Sequence, residues 1–320
     1  MEWHVDIGKA NLDVFAETLL ELAQNDPNIV VVTSDSRGSG KLVPFGQALP
    51  QQLIEVGIAE QNLIGIAAGL ASTGKKVFAV SPACFLTARG LEQIKNDVAY
   101  SDNPVRVVGI SAGVSYGALG TTHHSLHDYA ALRAVNNIDI VAPADNLETR
   151  GVIRAAMTYP TPLYIRFGKR AMLNLHAPDT PFEIGRAITI CEGHDVTFVA
   201  IGEAVSPAVL AADQLKEMGI AAGVISMHTL KPFDEATFLK AAASTRVLIT
   251  VEEHSIYGGL GERCASLLMT HRLFPAFKIV GFPDEHMVNG SQTELFIHYG
   301  IAPDTLAAAA RLLLKHESSL

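Results

Sequence analysis

Apolar positions recur along the chain with two different periods, and the alternation between them outlines the architecture. Residues 11–24 carry Leu12, Phe15, Ala16, Leu19, Leu20 and Ala23 at helical spacing. Asp26-Pro27-Asn28 then turns the chain. Residues 29–33 are apolar and β-branched without alternation, the mark of a strand buried on both faces of a parallel sheet. A short strand ending at Gly57 follows, and then a helix with a small, glycine-dotted face. Further strands are predicted over 76–80, 105–110, 138–142 and 163–166, with helices over 85–100, 125–135 and 146–159. Residues 174–183 hold Pro178 and Pro181, lack periodicity and read as a linker. A second alternation has strands over 195–201, 220–226, 246–251 and 277–281 and helices over 206–218, 234–243 and to about 273, then helices from Ser291 and Pro303. The pattern predicts an α/β protein of two three-layer domains with mostly parallel sheets, over residues 1–172 and 189–320, joined by a linker at 173–188.

Composition narrows the classes without naming a chemistry. The chain has 320 residues, 48% apolar and 18% charged, enough for two compact domains. Its formal charge of -9 argues against nucleic acid or anionic membrane as main partners. Small anionic substrates stay open if a few Arg and Lys converge. Cys84, Cys191 and Cys264 are far apart, with neither zinc spacing nor a disulfide framework, which fits a reducing cytoplasm. The N-terminus Met1-Glu2-Trp3-His4-Val5-Asp6 lacks the basic and apolar regions of a leader peptide, and no apolar run is long enough for a bilayer.

Candidate chemistry gathers at predicted strand ends, where parallel α/β sheets collect ligands. Ser34-Asp35-Ser36-Arg37-Gly38-Ser39-Gly40 is a polar, glycine-rich loop after the first strand. Glu60 stands in the first turn of its helix, either as a helix-dipole partner or as a buried acid that activates a cofactor. Phe85 lies near the same edge. Residues 111–124 form a long polar loop ending in His123 and His124. No third or fourth metal ligand has suitable spacing, so acid–base or hydrogen-bonding work is the better reading. Arg166, with Lys169 and Arg170 after it, ends a strand where it could meet an anion or solvent. Glu252-Glu253-His254 point alternately along an extended segment, which favours structural or interface roles over metal binding.

The ordered set Gly57-Ile58-Ala59-Glu60-Gln61-Asn62, Phe85-Leu86-Thr87 with Glu92-Gln93-Ile94, Thr122-His123, Pro143-Ala144-Asp145, Pro162-Leu163-Tyr164-Ile165-Arg166 and Val251-Glu252-Glu253-His254-Ser255-Ile256-Tyr257-Gly258-Gly259-Leu260-Gly261 resembles the C-terminal part of the transketolase family of thiamine-diphosphate enzymes. The resemblance covers essentially the whole chain. It implies a pyrimidine-binding domain followed by the transketolase C-terminal domain. It implies that Glu60 hydrogen-bonds the cofactor's N1′ and favours the imino tautomer that removes the thiazolium C2 proton, a bond strengthened by a low dielectric. Phe85 would pack on the pyrimidine, with Asp35 and Ile58 also lining the cofactor. His123 would contact substrate hydroxyl and carbonyl oxygens, and Arg166 would grip a sugar phosphate. Ser39, Arg37 and Arg89 are further substrate-binding candidates.

Two departures from the family pattern bear on the substrate. Ser111 stands where transketolases carry a histidine, and Ala118-Leu119 where they carry an acidic pair. Tyr116, Arg37 and Arg89 are candidates to compensate. The Gly-Asp-Gly of the family's magnesium and diphosphate site is absent. The resemblance therefore implies that Mg2+ ligands come from a separate N-terminal subunit, that this chain supplies none, and that two copies of it form the dimer core of a heterotetramer. The implied reaction is transfer of a two-carbon ketol unit from a ketose phosphate to an aldose. The alternatives are the β-subunit of a 2-oxoacid dehydrogenase or decarboxylase, which has the same domain pair, and a non-catalytic paralogue.

Overall fold

The computed structural model describes residues 6–317, so most of the stretch read for a leader peptide lies outside the described residues. Ile29–Thr33 is buried at every position, as its unbroken apolar run requires. It pairs in parallel with Lys76–Pro82 on one side and Leu53–Glu55 on the other. The sheet continues through Arg106–Ile110, Leu163–Arg166 and Asp139–Val141. Its seventh strand, Thr229–Lys231, comes from beyond the linker and pairs antiparallel with Asp139–Val141. The register aligns Thr33 with Glu55 and Val80, and Gly109 with Arg166. The loops after these strands therefore share one edge.

A second sheet has five strands in the order Ala276–Phe282, Val247–Ser255, Val196–Ala200, Ala222–Ser226 and Ile188–Cys191, parallel except for the last. A two-stranded ribbon joins Ile7–Ala10 to Ala171–Leu173. The apolar core is continuous between the halves: Leu63, Tyr129 and Ile140 belong to the same buried cluster as Val199, Met227, Leu248 and Leu260. Among the described residues no helix is long and apolar enough to cross a membrane.

The differences from expectation have local causes. The helix predicted over 85–100 is divided into Ala83–Arg89, Leu91–Gln93 and a π-helical Ile94–Tyr100. The break falls at Gly90, where a Cβ would meet the Leu86 carbonyl at 2.8 Å and the Ile64 side chain at 3.3 Å. Gly90 thus lets this segment lie close against the helix Glu60–Ser72. That helix buries Leu63, Ile64, Ala67, Ala68 and Ala71, and each large apolar side chain among them contributes about 1.5–3 kcal/mol. Gln61, Asn62, Gly65 and Gly69 face outward.

Candidate active site

Glu60 opens its helix immediately after a turn that only a glycine makes easily. Gly57 has φ +72° with open space around it, and the Ala59 amide closes back on its carbonyl at 2.8 Å. The Glu55 carboxylate steadies this turn, accepting from the amides of Gly57 at 3.0 Å and Asp35 at 2.6 Å. Glu60 retains only 4% exposure. A carboxylate so placed needs a partner, and Arg89 Nη1 donates to its Oε2 at 3.1 Å. Arg89 itself is 53% exposed. Its guanidinium also lies 4.9 Å over the Phe85 ring, as positions four apart on one helix allow.

From Phe85 a line of rings crosses the edge of the sheet. His123 meets Phe85 edge-on at 5.3 Å and Tyr116 edge-on at 5.4 Å. Lys169 Nζ stands 4.5 Å over the Tyr116 ring. Burial pushes the Tyr116 phenol above its ordinary value, opposed by the neighbouring Ser111 and Ser39 hydroxyls. Burial and the nearby Lys41 push Lys169 down. The loop bearing these groups is pinned from inside. His124 is buried and bonds the Gly117 carbonyl through Nε2 at 2.9 Å, and desolvation lowers its affinity for a proton. Leu119 is exposed in the turn Gly117–Leu119.

The structure therefore brings Glu60, Arg89, Phe85 and His123 into one chain of contacts. It extends that chain to Tyr116 and Lys169 and sets Ser39 beside Tyr116. Asp35 is exposed at the same edge with φ 49°, held by Glu55. Ile58 is 72% exposed beside Glu60. Arg37 makes none of these contacts; its guanidinium lies beside Gly46.

Arg166 lies apart from this line of rings. Its backbone ends the strand as expected, but its side chain turns inward and is 5% exposed. Nε bonds Asp128 at 2.8 Å, Nη2 bonds the carbonyls of Glu253 at 2.8 Å and Ser125 at 3.2 Å, and the guanidinium lies 4.6 Å over Tyr129. Burial alone would push Asp128 up, but Arg166, His254 and Tyr164 outweigh it and hold the acid below its ordinary range. The guanidinium is thus already bonded inside the protein and points away from the edge where Phe85 and His123 lie. Strand parity accounts for the difference: Tyr164 and Arg166 share a face, and both reach Asp128. Lys169, three residues on, is the cation that faces the ring line. Its place in the basic run after the strand was the available signal. Glu252, Glu253 and His254 are buried; Glu252 accepts from the amides of Leu260 and Gly261 at 2.7 and 2.8 Å and is pushed up to about 7 by burial.

The Glu60 and Phe85 pair fits the pyrimidine half of thiamine diphosphate. A buried carboxylate and an aromatic face already hold one planar, nitrogen-bearing group between them, the Arg89 guanidinium. Among the described residues no three His, Cys, Asp or Glu side chains gather as they would around a metal ion.

A buried acid at a helix start and an aromatic ring, bridged by one guanidinium where parallel strands end, mark an α/β protein of the class that binds its ligands at the strand ends. Residues 8–173 match the transketolase pyrimidine-binding domain and residues 185–306 the transketolase C-terminal domain, and the chain belongs to the transketolase family of thiamine-dependent enzymes. It is 46% identical over 302 residues to one of the subunits of apulose-4-phosphate transketolase from Phocaeicola vulgatus, covering 94% of this chain and 96% of that one. It is 36% identical to the 1-deoxy-D-xylulose-5-phosphate synthase of Heliobacterium modesticaldum, spanning 96% of itself but only 47% of that enzyme. Among solved structures it resembles a split-gene transketolase described as an inactive β4 tetramer, with TM-score 0.87, 35% identity, and 96% and 99% coverage of the two chains.

Proposed function

We propose that this chain is the C-terminal subunit of a split transketolase, moving a two-carbon ketol unit from a ketose phosphate to an aldose acceptor. The observation that carries the reading is the contact chain from Glu60 through Phe85 to His123, which puts an acid, a stacking surface and a polar ring in line at one sheet edge. Its nearly full-length match to a relative named as a single subunit of a transketolase supports the split arrangement. When bound, thiamine diphosphate supplies the nucleophilic carbon and the electron sink for the ketol unit. Glu60 would hold the pyrimidine nitrogen and Phe85 its face. His123 would donate to substrate oxygens, and Tyr116, Ser39 and Lys169 would orient the sugar's polar end. Mg2+ and the diphosphate would be held by the N-terminal subunit, and two copies of this chain would form the core of a heterotetramer.

The test is to combine the purified chain with its diphosphate-binding subunit and offer ketose phosphates or 2-oxoacids as donors. Ketol transfer to an aldose is the expected result. Decarboxylation of a 2-oxoacid without ketol transfer would move the chain to the dehydrogenase or synthase branch.

Two further outcomes are expected. Arg89 makes both contacts assigned to the pyrimidine, so it must leave as the cofactor enters. Arg89→Ala should tighten thiamine diphosphate binding by the assembled enzyme roughly two- to fivefold, the worth of a half-exposed ion pair, as read by calorimetry. Weaker binding would show that Arg89 holds the cofactor rather than its seat. The outer face of the Glu60–Ser72 helix is the proposed contact for the other subunit, because Gly65 and Gly69 have open space around them. Gly65→Leu should stabilise the isolated chain by about 0.5–1 kcal/mol and yet block assembly. Normal assembly on a sizing column would place the contact elsewhere.

A further inference from the structure

Two buried acids from the second half of the chain reach into the loops of the first. Glu203 lies in the turn Gly202–Ala204, Glu253 in the strand Val247–Ser255, and Gln292 opens the helix Gln292–His298. Gln292 Nε2 donates to Glu203 Oε2 at 2.8 Å and to Glu253 Oε1 at 2.7 Å. Glu253 Oε1 also accepts from the Val114 amide at 2.9 Å. Both carboxyls occupy notches made by missing side chains: a Cβ at Gly113 would overlap Glu253, and one at Gly168 would overlap Glu203. Gly113 lies three residues before Tyr116, and Gly168 directly precedes Lys169. What the acids touch is loop backbone, next to the groups that form the ring line.

The surrounding charges are few. Arg166 Nη1 is 3.8 Å from Glu253 Oε2, with Asp128, Tyr129, Tyr164 and His254 grouped around Arg166, and Arg170 faces Glu203. Burial and the charge of Glu203 push Glu253 up to about 8, and burial also raises Glu203. The pair therefore holds a proton to higher pH than a lone exposed carboxyl would, and loses it as the solution becomes alkaline.

We propose that Glu203 and Glu253 are positioning residues: bridged by Gln292, they let the second domain set the places of the loop carrying Tyr116 and His123 and the loop carrying Lys169. This rests on the reading that those side chains meet the substrate. The pair is fully seated below the pH at which its proton leaves; above it, two like charges share the bridge and the loops loosen.

Hydrogen exchange of the intact chain tests the geometry without reference to activity. After correction for intrinsic rates, wild-type protection of residues 111–124 and 167–170 should fall in a step as alkaline pH removes the shared proton. Glu203→Gln should keep the protection and move that step to lower pH or flatten it, because Glu253 is then raised by burial alone and no second charge can share the bridge. Glu203→Ala should raise exchange in both segments about tenfold or more and, in the assembled enzyme, raise KM for the sugar phosphate more than it lowers kcat. If Glu203→Ala unfolds, the Glu203→Gln profile decides alone. A pH step unchanged in Glu203→Gln, or a folded Glu203→Ala with wild-type exchange in both segments, would overturn the proposal. Exchange as described but no ketol transfer with any sugar would remove the functional reading and leave the positioning role standing.

Discussion

Glu60→Gln is expected to lower ketol transfer by the assembled enzyme by roughly 10²–10⁴-fold, the range for a group that controls a proton in the reaction. The substitution keeps the shape of the side chain and removes its charge and proton. A glutamine can still contact a pyrimidine nitrogen, so cofactor binding should survive far better than turnover. The fold should survive too, because the partner released is Arg89, half exposed and able to return to water. The decisive measurement is the rate at saturating thiamine diphosphate. Near-normal turnover would mean that the buried acid is a helix-dipole partner and no more.

Arg166→Met should act in the opposite manner, on stability before activity. Arg166 bonds Asp128, Ser125 and Glu253 from within the junction of the two halves. Removing one member of a buried pair leaves the other charge without compensation, a loss of about 3–5 kcal/mol. Arg166→Lys should not restore it, because an ammonium cannot reproduce the planar fork that reaches three partners at once. Denaturant unfolding reads the effect. A variant with wild-type stability and a raised KM for sugar phosphate would return Arg166 to the substrate.

The order of strands and helices was legible because parallel strands buried on both faces must be apolar without interruption, as in Ile29–Thr33. The edge elements were not. Ile7–Ala10, Ala171–Leu173, Ile188–Cys191 and Thr229–Lys231 have three or four residues each, too few to display a period, and their partners lie far away in sequence. The site divides in the same way. Glu60, Phe85 and His123 sit in segments whose order is distinctive. Arg166 and Lys169 are both basic and three positions apart, and only the fold reveals that one faces Asp128 and the other Tyr116. Glu203 carried no local signal, because its meaning depends on the absent side chain of Gly168.

The strand Thr229–Lys231 closes the flank of a sheet otherwise built from the first half. A fragment cut at the linker would leave Asp139–Val141 with a bare row of amides and carbonyls, an adhesive border open to any passing backbone. The two halves are thus sewn together by a borrowed thread, and a gene for this chain divided at its linker would yield a first piece prone to clump.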